Sequence, residues 1–388
     1  MKKRKICLII TSRIHYTRNK LLLDEIKNHP DLELQLIVGG SALLSKYESM
    51  VPILARDGFN INEKLYINLE GGDNIAMSIT TGLAVIEFTT AFQKLDPDIV
   101  VLRADRFEML AAALAAAYLN KTIAHIEGGD VSGSIDESVR HAITKLSHIH
   151  FVTNEKSKQR VLRLGENPDY VFNVGSLDVE YASKVPSAND FSILEEEGVG
   201  GKVNVNYPFI MVIQHPVTSE KDNFSHVKET LQAVYELKIP TLWFWPNIDA
   251  GTDDISHSIR QFREYFNPPF IRFIKYLSPE IFINLLKRTG CLVGNSSAGI
   301  KECSYLGTPV VDIGTRQNQR YEKEIMKHII GVDYKKEEIK EALQKQIERG
   351  RYQPNLYYFQ PDTSKKIVDI LAKSNLYTQK TFYENKII

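Results

Sequence analysis

Short apolar, β-branched runs recur through the first half of the chain at KICLII, LELQLIV, DIVVL, TIAHI and HIHFVT, with helical segments such as FEMLAAALAAAYL between them. Runs with little polar alternation belong to strands buried on both faces, and such strands pair in parallel when helical crossovers join them. The pattern restarts after Pro208 with FIMVIQ, PTLWFW, FIRFI, CLVGN and TPVVDI, so one architecture is laid down twice. A chain of 388 residues also exceeds the size at which single cores stop growing. The expected fold class is therefore α/β, with two Rossmann-like doubly wound domains. The first covers residues 1–182 and the second 207–362. Between them, 183–206 is polar, acidic and glycine-bearing, as a linker is. In such folds ligands bind at the carboxyl ends of the strands, so the polar residues just after each strand carry the functional information.

Charge narrows the partners. With 48 basic and 48 acidic side chains there is no global field to hold nucleic acid or an anionic membrane, and any anion site must be local. Cys7, Cys291 and Cys303 show no C-x-x-C spacing, which argues against zinc and a disulfide framework and fits a reducing cytoplasm. The opening MKKRKICLIITSR has too short an apolar run for a signal segment and reads as a first strand. No window suggests the ~20 apolar residues of a membrane helix. Neither G-x-G-x-x-G nor a Walker A sequence occurs, which removes the usual signals for a dinucleotide or for NTP hydrolysis.

Several strand ends in the first half carry chemistry. LIITSRIHYT presents Ser12, Arg13 and Thr17 at the start of a helix, suited to an anion. VVLRADRFEML places Asp105 and Arg106 between an apolar strand and an apolar helix, and IAHIEGG does the same with His125 and Glu127. SIDESVRHAITKL reads as a helix on which Asp136 and Arg140, four apart, form either an ordinary surface ion pair or part of a site. Asp105 and Glu127 after buried strands would be uncompensated carboxylates, and that cost points to purpose. Clustered in a cleft, Asp105, Glu127 and Asp136 can serve as acid, base or stabiliser of a developing cation. His125-x-Glu127 matches half of a zinc deaminase pattern but lacks the P-C-x-x-C partner, so no metal is expected. His141, His148 and His150 read as packed side chains.

The second half supplies the anion site. In CLVGNSSAGIKECSYLGTPVV, Asn295 or Ser296 is placed to cap a helix with Ser297 in its first turn. Glu302 can accept both hydroxyls of a ribose, and Arg316 after the next strand can clamp a diphosphate. His215 in IQHPVT and Asn247 in FWPNIDAG lie at two further strand ends. Singly, each also suits a turn or cap.

HIEGGDVSGSIDESVRHAITKL, QHPVT, WPNIDAG, GNSSAGIKE and LGTPVVDIGTRQ together resemble the hydrolysing UDP-N-acetylglucosamine 2-epimerases, the bacterial sialic-acid-pathway enzymes and the epimerase half of their animal bifunctional counterpart. The resemblance runs from about Lys5 to about Arg320. It implies a glycosyltransferase-B-like arrangement, with a last helix (about 363–388) returning to the first domain. It places Asp105, Glu127 and Asp136 on the catalytic acids. Arg13, Thr17, Arg106, His215, Asn247, Ser296, Ser297, Glu302 and Arg316 fall on the positions that hold UDP. It implies no cofactor, a UDP-sugar substrate and a homo-oligomer. TSRIHYT replaces the usual Gly-Ser-Arg-Ala-Asp-Tyr and RADRFE the usual Gly-Asp-Arg, so a 2,4-diacetamido sugar stands as an alternative substrate. The rival activities are a non-hydrolysing epimerase, a glycosyltransferase of the same fold and a nucleotide-sugar-binding regulator.

Overall fold

The computed structural model describes residues 2–45, 49–69, 73–218, 220, 222–246 and 251–384. The first half contributes β1 (Arg4–Ile10), β2 (Leu32–Gly39), β3 (Glu63–Leu65), β4 (Ile99–Arg103), β5 (Thr122–Ile126), β6 (Ile149–Val152) and β7 (Val171–Asn173). These form a parallel sheet in the order β3-β2-β1-β4-β5-β6-β7. The second half contributes β8 (Gly198–Gly200), β9 (Ile210–Ile213), β10 (Thr241–Phe244), β11 (Ile271–Ile274), β12 (Cys291–Gly294), β13 (Val310–Ile313) and β14 (Ile329–Val332). Their order is β14-β13-β12-β9-β10-β11-β8, parallel except where β8 pairs with β11. Strand order reverses between β1 and β4, and again between β9 and β12, which opens a crevice at the carboxyl edge of each sheet. Both halves are thus Rossmann-like and doubly wound.

The strands form because their apolar residues are buried on both faces. Along β1, Ile6, Leu8 and Ile10 pack with Leu22, Leu23 and Ile26 of the helix Arg13–Asn28, while Cys7 and Ile9 pack on the other face with Phe88, Phe92 and Met109. Successive side chains of a strand point to opposite faces, so one five-residue run serves two core layers.

Three expectations need correction. Residues 183–206, read as a linker, supply β8 at the edge of the second sheet. They also hold the short helix Ile193–Glu196, because Arg272 on β11 donates to the carbonyl oxygens of Leu194 at 2.9 Å and Glu195 at 2.5 Å. The last helix is Thr363–Lys373, shorter than the expected 363–388. Beyond it the described residues, to 384, run along the first domain without helix, where Lys380 Nζ lies 2.6 Å from Glu166 and Tyr377 meets His148 edge-on at 5.1 Å. Finally, the helix Asn74–Leu95 is long and apolar enough to cross a membrane by length and composition alone. Its threonines disguise it in the sequence, yet Thr81 and Thr89 hide their hydroxyls on the carbonyl oxygens of Met77 and Val85. One face of this helix packs Ala84, Phe88 and Phe92 inward, and the other exposes Ile75, Ile79, Leu83 and Ile86.

Ile367, Val368 and Leu371 of Thr363–Lys373 are buried with Leu22 and Ile26, so the end of the chain completes the first core. Leu371→Ala should cost about 2–5 kcal/mol in urea unfolding of the full chain. An unchanged midpoint would contradict this placement.

Candidate functional site

β4 and β5 are neighbours, with Arg103 opposite Ile126, so Asp105 and Glu127 leave the same sheet edge side by side. Just past each strand a residue is forced into the left-handed region, Ala104 at φ 63° and Glu127 at φ 71°. Such conformations persist in non-glycine residues only where the surroundings fix them. Here the Ala104 N–H bonds the Ile126 carbonyl at 2.9 Å, and the Glu127 N–H bonds that of Phe151 at 2.8 Å. Glu127 is 2% exposed, yet it does not lack compensation. Arg103 Nη2 lies 2.6 Å from its Oε1, and Lys301 Nζ, from the second domain, lies 3.0 Å from its Oε2. Burial works to raise this carboxyl, but the charges of Arg103, Lys301 and Arg18 outweigh it and hold it well below the usual range. Arg103 also pairs with Asp178 at 2.8 Å, and Lys301 with Asp130 at 3.4 Å.

Asp136 opens the helix Ile135–Leu146 and accepts from Ser134 Oγ at 2.9 Å. The Asp136–Arg140 pair suggested by their spacing is not the contact observed. Buried Arg140 turns to Asp105 and donates to the Asp130 carbonyl at 2.7 Å, because Asp105 lies at the end of the adjacent strand. Asp105 is therefore compensated as well. Arg140 ties its strand end to the helix that carries Asp136.

Across the crevice, Ser296 caps only the 3-10 turn Ser297–Gly299, ahead of the short helix Glu302–Leu306. Asn295 is not a cap. Its amide accepts from the His215 N–H at 2.7 Å and donates to the His215 carbonyl at 2.9 Å, joining the ends of β9 and β12. Arg316 Nη1 donates to the Asn295 carbonyl at 3.1 Å. Its own carbonyl accepts from Gly133 N–H at 3.1 Å, which stitches the glycine loop before Asp136 to the second domain. A Cβ on Gly133 would lie 1.9 Å from the Thr315 carbonyl oxygen, so only glycine allows this approach.

Arg18 Nη2 donates to Ser297 Oγ at 3.0 Å and its Nε lies 3.6 Å from Asp178. Glu302 is buried, and its Oε2 has no hydrogen-bond partner among the described residues. Burial, reinforced by the charge of Asp178, pushes Glu302 up to about 7. Arg13 stacks over the Tyr276 ring at 3.0 Å, and Tyr276 is hydrogen-bonded to Thr17. Beside them lies a cavity of 330 Å³ lined also by Leu277, Ser278 and Ile281. Arg106 is held by Glu108 at 3.0 Å and 3.1 Å. Asn247 lies outside the described residues.

Glu127, through Lys301, and Ser297, through Arg18, thus join one inter-domain network beside the buried Glu302, Asp105 and Asp136 adjoin it through Arg140, and Arg13 lines a separate cavity to which Thr17 is linked by Tyr276. Sequence reasoning missed Arg18, Arg103, Asp178, Tyr276 and Lys301. Arg103 and Lys301 carried a readable signal, each being a cation set in an apolar strand or turn. His125 is packed, with Nε2 2.9 Å from the Ala104 carbonyl and Nδ1 3.1 Å from Thr144 Oγ1.

A carboxyl whose folded value is raised binds a proton that the unfolded chain has lost. Stability contributed by Glu302 therefore falls as pH rises from its usual 4.5 to about 7. Glu302→Gln should raise the melting temperature relative to the parent more at pH 8 than at pH 5.5. Equal differences at both pH values would contradict a Glu302 that ionises with one oxygen unpartnered.

Residues 24–372 match the family model described as UDP-N-acetylglucosamine 2-epimerase. The chain is 32% identical over 97% of both chains to the UDP-N,N'-diacetylbacillosamine 2-epimerase (hydrolyzing) of Legionella pneumophila. It is 32% identical to a UDP-N-acetylglucosamine 2-epimerase of Neisseria meningitidis serogroup B, covering 98% of this chain and 99% of that one. The solved Methanocaldococcus jannaschii UDP-GlcNAc 2-epimerase superposes with a TM-score of 0.76 at 19% identity, over 95% of this chain and 100% of that one, and shares the fold. On the match over most of its length and the two 32% relatives, the chain belongs to the UDP-N-acetylglucosamine 2-epimerase family.

Proposed function

We propose that the protein is a hydrolysing 2-epimerase that converts UDP-N-acetylglucosamine and water to N-acetylmannosamine and UDP, supplying sialic-acid-type sugar synthesis. The observation that carries this reading is the meeting of Glu127 and Arg18 of the first domain with Lys301 and Ser297 of the second across one crevice. The cavity beside Arg13 and Tyr276 suits the uracil ring, and the unpartnered Glu302 oxygen suits the ribose hydroxyls. Ser296, Ser297, His215 and Arg316 would hold the diphosphate, and Thr17, Arg106 and Asn247 complete the proposed UDP contacts. Two of the three relatives that are 32% identical are named for a diacetylated sugar, which supports UDP-2,4-diacetamido-2,4,6-trideoxyglucose as the second reading. Three buried free cysteines fit a cytoplasmic setting.

The hydrogen on sugar C2 has no carbonyl beside it, so a carboxylate cannot remove it until something acidifies it. Departure of UDP from C1 gives the ring oxocarbenium character, which acidifies C2–H and is stabilised by nearby anions. In this mechanism one carboxylate takes the C2 proton as the C1–O bond breaks toward UDP, leaving 2-acetamidoglucal. Water then adds its hydroxyl at C1, and a proton returns to C2 from the opposite face. Asp105, the more exposed of the pair, suits the base. Glu127, with both oxygens engaged by cations, suits the fixed anion, and Asp136 handles the second proton. The route has no hydride transfer and needs no nicotinamide.

Proton NMR of UDP-N-acetylglucosamine with the enzyme should show free N-acetylmannosamine and UDP. UDP-N-acetylmannosamine alone would replace this reading with the non-hydrolysing one, and reaction only with an added acceptor would indicate a glycosyltransferase. Asp105→Asn and Glu127→Gln should each lower kcat by about 10²- to 10⁴-fold with UDP still bound.

The exposed face of Asn74–Leu95 supports a homo-oligomer. Among the described residues, nothing outside its own helix backbone lies within 4 Å of where a Cβ on Gly82, at its centre, would stand. A two-fold axis between Gly82 and Leu83 would seat Leu83 on Gly82 of a second copy and lay Ile79 against Ile86. Leu83→Glu should therefore convert the protein to a smaller species in sedimentation velocity, and an unchanged mass would remove this interface.

A further inference from the structure

Lys301 belongs to the domain that carries Ser297 and Glu302, yet its ammonium group lies among the carboxylates of the other domain, 3.0 Å from Glu127 Oε2 and 3.4 Å from Asp130 Oδ2. It is 1% exposed, and a lysine is rarely buried so fully unless it is paired. Resting on the epimerase reading above, we infer that Lys301 is a positioning residue that fixes Glu127 as an anion only when the two domains are closed.

The contact is built for this. Lys301 immediately precedes Glu302, so a shift that seats Glu302 on a ligand moves the Lys301 stem with it. The other oxygen of Glu127 is served from its own domain by Arg103, which is shared with Asp178. Arg18, from the helix Arg13–Asn28, adds positive charge from the same side. His15 on that helix and His125 on β5 also lie within electrostatic reach of Glu127, but burial lowers both, so they are neutral near pH 7. Glu302 is close enough to Lys301 for their charges to interact. Lys301 is thus the cation whose distance from Glu127 changes when the domains part. Domain closure and the holding of that anion in a dry site become one event, so the carboxylate is positioned after the nucleotide is held.

The test compares the parent with Lys301→Met and Lys301→Arg. In Lys301→Met, kcat at pH 7 should fall about 10- to 100-fold with KM within threefold, and the acid limb of the kcat profile should move up by at least about one pH unit. Lys301→Arg should restore at least tenfold of the loss. A uniform loss at all pH values, without rescue by arginine, would overturn the inference and leave Lys301 a structural residue. A second readout needs no turnover. Between pH 7 and 5, Lys301→Met should gain an infrared band of protonated carboxyl that is absent from the parent and from the Lys301→Met/Glu127→Gln double variant. Its absence from Lys301→Met would overturn the inference as well. If the parent processes no UDP-sugar, the epimerase reading fails, and the infrared comparison still decides the role of Lys301.

Discussion

A buried carboxylate held between cations of two domains organises this molecule. An ion the size of a carboxylate loses several kcal/mol of hydration when it enters a dry interior, and only well-placed partners offset that. Glu127 has Arg103 on one side and Lys301 on the other, and those cations are shared with Asp178 and Asp130. Parting the domains would return these groups to water, so the network need not lock the crevice shut. Its gain on closure is a small difference between large terms, which suits a site that must open each time it reloads.

Backbone geometry makes the arrangement possible. Left-handed turns at Ala104 and Glu127 end two adjacent buried strands and bring Asp105 and Glu127 out at one edge. Gly133 lets the following loop touch the backbone of the second domain, where Arg316 is anchored on Asn295. Left-handed turns and a close backbone approach thus shape the crevice edges, while the strands behind them are buried β-structure.

Much of this was legible in the residues. Repeated β-branched runs specify two parallel sheets because a strand buried on both faces leaves no polar alternation, and β4 and β12 show it plainly. The polar residues after those strands marked the crevice for the same reason. The long-range pairings could not be read. Spacing suggests Asp136–Arg140, but strand adjacency gives Arg140 to Asp105. Nothing local reveals that Lys301 meets a residue 174 positions earlier. The edge strand Gly198–Gly200 was hidden because glycine and acidic residues rarely signal a strand, and its partner on β11 supplies what its own sequence lacks.

These carboxylates are proposed to act on C2 of a UDP-sugar gripped by the opposite domain. Turnover of UDP-N-acetylglucosamine in deuterium oxide, followed by NMR of the sugar released, tests this most directly. Proton removal and return should leave deuterium at C2 of nearly every N-acetylmannosamine molecule. A released sugar that keeps its original hydrogen at C2 would contradict the account.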